Sequence, residues 1–194
     1  MNQMDQKKNR GEALVIASII VAFITIAVIV VILVIKIAHK YSPGVVDGTS
    51  YVNKWADVKI DVPDSYQIQQ VGGMSNGFET PFAFFRNSPV AAGIVVTREG
   101  ETDMYKIEEE FLQEFGGSGG LISVPMGKTV QQMSIDQTHR TIAGEDYLCF
   151  EFSSQETYMC AAFRAVHDNG VFGIVAVATS ADEIDEVLNL LEKN

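Results

Sequence analysis

Twenty-three consecutive residues, Ala13 to Ile35 ("ALVIASIIVAFITIAVIVVILVI"), carry no charge and only two polar side chains, Ser18 and Thr25. Beyond them the pattern changes to short stretches in which apolar and polar positions alternate. As a helix rising about 1.5 Å per residue, the first run is roughly 35 Å long, enough to cross a hydrocarbon core of about 30 Å with modest tilt. A helix apolar on every side needs far more protein around it than this chain has, so the pattern predicts a membrane span rather than a core helix. A signal peptide would be shorter and end in small residues, whereas this run leads into "KIAHKYSPG", so we expect it to stay uncleaved. No cysteine follows to take a lipid.

The alternating stretches predict strands in "WADVKIDVP", "FETPFAFFR", "AAGIVVTRE", "TVQQMSI", "RTIAGEDYLCFEF", "TYMCAAFRAV" and "GVFGIVAVAT", separated by turns such as "NSPV", "AGED", "SSQE" and "HDNG". Two stretches change period. Met104, Ile107, Phe111 and Phe115 share one helical face before Gly116, and Ile184, Val187, Leu188 and Leu191 form the stripe of a closing helix. Ser180 and Glu183 have the spacing of a capping box at its start. The expected organisation is a tail over 1–12, a transmembrane helix over 13–35, a juxtamembrane linker over 36–50 and an extracytoplasmic domain over 51–194. The expected fold class is α+β: an amino-terminal transmembrane helix followed by an antiparallel sheet packed with two helices.

Charge refines this picture. Five of the 14 basic and two of the 25 acidic residues lie in positions 1–40, which leaves the rest of the chain at −14. So negative a surface repels nucleic acid and anionic lipid headgroups, which removes both from the expected partners. Lys7, Lys8 and Arg10 before the span resist translocation, whereas a long folded domain is exported largely regardless of its charge. We therefore expect a single-pass protein of the cell membrane, amino terminus in the cytoplasm and domain outside. Ser18, Ala22 and Thr25 fall on one face of the span, small enough to let a second helix approach.

Trp55, the strand ending at Val62-Pro63, Tyr66, a central helix, "IAGEDYLCFEF", a long hairpin and a last strand running into the Ser180 helix together resemble the PsbP-like fold. That fold includes plant photosystem-associated proteins and bacterial envelope proteins of the DcrB kind. The resemblance implies a non-catalytic binding or assembly role and carries no functional residue onto this chain. The expected partner is thus a protein or envelope component, with a homo-oligomer or an accessory place in a larger membrane complex as the alternative.

Catalytic and metal-binding patterns are sparse. "GGSGG" at 116–120 has the letters of a nucleophile elbow around Ser118, and Asp146 and His167 follow in hydrolase order, but the expected helix precedes the serine instead of following a strand. His39, His139 and His167 lack zinc spacing. The acidic groups Glu99, Glu101, Asp103 and Asp182, Glu183, Asp185, Glu186 lack the glycine turn and terminal glutamate of a calcium loop, and suit helix amino ends. No cofactor and no metal is expected.

The two cysteines, Cys149 and Cys160, remain. With Ser154 and Gln155 as a two-residue turn, Cys149 faces Cys160 directly, on the side that also carries Tyr147, Glu151 and Tyr158. That opposition and an oxidising compartment predict a Cys149–Cys160 disulfide.

Overall fold

The structure is a computed structural model that describes residues 28–29, 39–69, 74–75, 77–114, 121–126, 129–153 and 157–194, with side chains outside 74–75 and 111–134. It divides into two units, Met1–Lys40 and Tyr41–Asn194. In the first, Val28 and Ile29 are helical. Among the described residues no helix is long and apolar enough to cross a membrane. The rest of the Ala13–Ile35 run, with Ser18, Ala22 and Thr25, lies outside the described residues, as do Ser118 and its glycines.

In the second unit the alternating stretches become strands because each has one face to bury. A four-stranded antiparallel sheet has the order β1 (Val45–Asp47), β2 (Ser50–Asn53), β3 (Val58–Asp61) and, from the far end of the chain, β14 (Leu191–Lys193). The large sheet begins at its edge with β10 (Asp136–Ile142), then β11 (Glu145–Ser153), β12 (Tyr158–Val166), β13 (Gly170–Ala178), β7 (Val90–Glu99), β6 (Phe78–Asn87) and β4 (Gln67–Gln69), with β5 (Met74–Ser75) also on β6. A separate pair joins β8 (Leu121–Met126) to β9 (Thr129–Ser134). The described helices of this unit are α1 (Met104–Glu114) and α2 (Ala181–Leu188).

Side chains of the large sheet divide between two cores. One face of β12 and β13 sends Cys160, Ala162, Phe172, Ile174 and Ala176 into a cluster with Trp55, Ile60, Phe82, Phe84 and the α2 residues Ile184, Val187 and Leu188. The other face sends Ala161, Phe163 and Val171 into a smaller cluster with Ile107 of α1. Burying each large side chain fully contributes about 1.5–3 kcal/mol, so the first cluster dominates the stability. Two glycines shape it. A Cβ at Gly93 would stand 2.3 Å from the Phe84 ring, and one at Gly173 would stand 2.4 Å from Phe163. Each glycine lets the ring of its cross-strand partner lie flat over the ladder.

The helix ends follow their local chemistry. Asp103 Oδ1 accepts the Tyr105 amide at the start of α1, and Ser180 Oγ accepts the Glu183 amide at the start of α2. The Glu183 carboxylate reaches back one residue further than a capping box requires, to the Thr179 amide and hydroxyl.

Four expectations need correction. Among the described residues the fold is predominantly β, in three sheets with short helices, rather than α+β with one antiparallel sheet, and none of the described helices is long and apolar enough to be the expected transmembrane helix; β8 runs through Pro125 where no strand was expected. The closing helix stops at Leu188, and Leu191 is buried from a strand on β3 instead. Its stripe spacing of three residues suits either placement for a single side chain. The segment read as linker carries β1 and is fastened down: the Tyr41 hydroxyl bonds Thr97 Oγ1 at 3.0 Å, Tyr51 donates to the Pro43 carbonyl and Asn53 Nδ2 to the Ser42 carbonyl. The folded unit therefore begins at Tyr41. Finally, Cys149 and Cys160 do not oppose each other. Cys149 faces Ala162, Glu151 faces Cys160, and both cysteines are free thiols. The ladder stops at Ser153–Tyr158, two residues out of the expected register. A slip of two leaves every side chain on its own face, so the apolar pattern could not tell the two registers apart.

Candidate functional site

The corrected register places Glu151 beside both cysteines. Thr138 pairs with Cys149, Cys149 with Ala162 and Glu151 with Cys160, so side chains from three neighbouring strands converge on the face that α2 packs against. One ligand-capable atom from each of Cys149, Glu151 and Cys160 lies within 4.8 Å of the others. Both thiols are buried, and Glu151 is partly covered. Arg140, on β10, donates from Nε to Glu151 Oε1 at 2.6 Å and from Nη1 to Asp185 Oδ1 of α2 at 2.5 Å. Thr138 Oγ1 donates to the same Glu151 oxygen at 2.7 Å.

These contacts set the charge states. Arg140, followed by the Thr138 hydroxyl, holds the Glu151 carboxyl below its ordinary range against the opposing effect of burial. Bonding to Glu151 and then Asp185 holds the Arg140 guanidinium protonated. Cys149 Sγ donates to the Tyr147 carbonyl at 3.7 Å. The neighbouring Cys160 thiol lowers the Cys149 pKa against the opposing effect of burial, with Arg140 assisting, while Cys149 and burial together raise that of Cys160. The site is therefore an ordered thiol pair flanked by a carboxylate and an arginine.

It has an opening. A cleft of about 210 Å³ between the β11–β12 end of the sheet and the start of α2 is lined by Arg140, Glu151, Tyr158, Cys160, Ala181 and Ile184. Across Arg140, a shallower hollow of about 400 Å³ is bordered by Thr141, Asp185 and Asn189. The cluster can hold a cation through sulfur and oxygen, or present a polar lip to a partner.

The other candidates are dispersed. His139 Nδ1 meets Asp146 at 3.2 Å with both side chains largely exposed, and His167 Nε2 meets the Trp55 carbonyl at 3.1 Å. Glu101 bonds Lys106 and the amides of Thr102 and Asp103, Glu186 bonds Arg86 in a two-pronged pair, and Asp185 bonds Arg140. The acidic residues thus act as caps and ion-pair partners. Arg140 was missed in the sequence because nothing in a polar edge strand marks which arginine turns inward. Glu151 carried a signal, two residues from Cys149 on the same face, which the wrong register concealed.

No family model matches the chain, and neither does any curated protein. The PsbP-like resemblance therefore gains no support from a family match. Among solved structures, a protein of Bacteroides thetaiotaomicron aligns with a TM-score of 0.35 and 12% identity over 77% of this chain and 49% of its own. This chain thus spans about half the length of that protein. LpqN, involved in cell envelope biogenesis of Mycobacterium tuberculosis, aligns with a TM-score of 0.35 and 14% identity over 69% of this chain and 76% of its own. Likeness at this level assigns no family.

Proposed function

We propose that this chain is a membrane-held, non-catalytic binding or assembly protein of the cell envelope whose folded unit works outside the cytoplasm. The observation that carries the reading is the charge-free run of 23 residues placed before an acidic folded unit, with the basic residues Lys7, Lys8 and Arg10 ahead of it. Binding rather than catalysis is supported by the state of the polar groups. Arg140, Glu151 and Asp185 satisfy one another, and among the described residues no buried side-chain polar atom lacks a partner. The partner is a protein or envelope component that docks at the Arg140 cleft. No nucleic acid is involved, given the acidity of the unit.

A second reading, an accessory subunit of a larger membrane complex or a homo-oligomer, is favoured by the small-residue face Ser18, Ala22 and Thr25. Mild-detergent capture with the full chain, with the fragment 41–194 and with full-length Arg140→Met separates the two. A partner held by both wild-type forms and lost by the Arg140 variant supports the binding protein. One held by the full chain alone supports the subunit, and no specific partner in any form contradicts both.

A further inference from the structure

We propose that Cys149, Glu151 and Cys160 form a binding site for a divalent cation of the zinc class, open towards the cleft. The inference stands on the geometry of the cluster and is independent of the envelope reading. Two sulfurs and a carboxylate oxygen already lie within 4.8 Å of one another before any ion is considered. In a tetrahedral zinc site, metal–sulfur bonds of about 2.3 Å put two sulfurs about 3.8 Å apart, so small side-chain rotations complete the set.

The carboxylate is oriented for the task. Arg140 and Thr138 both bond Glu151 Oε1, which leaves Oε2 available and fixes the plane of the group, as outer partners do around metal ligands. Arg140 repels a cation, yet the total favours one. Two thiolates and the Glu151 and Asp185 carboxylates against one guanidinium leave −3, of which a divalent ion neutralises two. Sulfur ligands select zinc, or cobalt and cadmium in its place, over calcium and magnesium, which require many oxygens. The fourth position faces the cleft, whose volume of about 210 Å³ is large enough for water or a ligand atom. Cys149 and Cys160 are both buried, and of the two only Cys160 lines the cleft, so the ion arrives past Cys160. Binding expels the thiol protons, so affinity falls as the pH falls.

The test uses the full chain in mild detergent, freed of metal and kept under a phosphine reductant, with Co²⁺ as the probe. We expect a thiolate-to-cobalt charge-transfer absorption that saturates at one equivalent and is displaced by Zn²⁺ but not by Ca²⁺ or Mg²⁺. Zn²⁺ should also raise the melting temperature of the wild type. Glu151→Gln, which keeps both thiols and the shape of the side chain, should weaken cobalt binding about tenfold or more. Cys160→Ser should remove the charge-transfer band. Absence of that band in the wild type, a stoichiometry far from one, or equal binding by Glu151→Gln overturns the proposal, and the first two need no variant to fold.

Discussion

Replacing Arg140 by Met keeps most of the stem that covers the cleft wall and removes one charge, which isolates what the guanidinium contributes. Two bonds disappear, to Glu151 at 2.6 Å and to Asp185 at 2.5 Å. A unit pair at 4 Å interacts by about 4 kcal/mol at an effective dielectric of about 20. Arg140 and Glu151 are 33% and 28% exposed, so solvent screening brings the net contribution to about 1–2 kcal/mol. Asp185 is 57% exposed and adds less than about 1 kcal/mol. The expected loss at neutral pH is therefore about 1–3 kcal/mol.

The pH dependence gives this prediction a second edge. Glu151 has its folded pKa depressed below the ordinary 4.5. Its pairing therefore stabilises the fold fully above about pH 4.5, and the contribution is lost as the pH falls through the lowered value. The gap between wild type and Arg140→Met should close in acid. Urea unfolding of the fragment 41–194 reads both, followed by the fluorescence of Trp55, the sole and buried tryptophan. A variant within about 0.5 kcal/mol of wild type at neutral pH, or a gap unchanged at about pH 3, would refute the reasoning.

Gly93→Ala should cost about 1–3 kcal/mol in the same assay, because the new Cβ meets a buried Phe84 ring hemmed in by Phe82 and Tyr66. Phe84→Leu should relieve part of that cost, and strict additivity of the two changes would count against the clash. A fragment starting at Gly48 should be less stable than one starting at Tyr41 by about 2–4 kcal/mol, since it loses β1 and strips partners from the buried Thr97 and Asn53; equal unfolding midpoints would contradict this.

The face each strand buries was legible wherever alternation was clean. Val58 and Ile60, or Phe150 and Phe152 against Ala161 and Phe163, sit where a period of two puts them. The start of α2 was legible too, because Ser180 bonds the Glu183 amide that the capping spacing points to. What failed was what alternation does not encode. Register along the β11–β12 hairpin depends on its turn, and a shift of two preserves the pattern while it moves Cys160 from Cys149 to Glu151. β1 and β14 are three residues each, too short for a periodicity; β1 forms a hairpin with the next strand, β2, and β14 owes its existence to β3, far back in the chain. Arg140 could not be picked out because its role depends on Asp185, 45 residues away.

The central proposal, a folded unit held outside the cell by an uncleaved apolar run, meets its most direct test in the topology of the full chain in intact cells. Protein tagged at both ends should sediment with membranes and resist alkaline carbonate. Protease added to intact cells should remove the carboxy-terminal tag and leave the amino-terminal tag on a short protected fragment. Recovery of the full chain in the soluble fraction, or protection of the carboxy-terminal tag until the membrane is broken, would contradict the account.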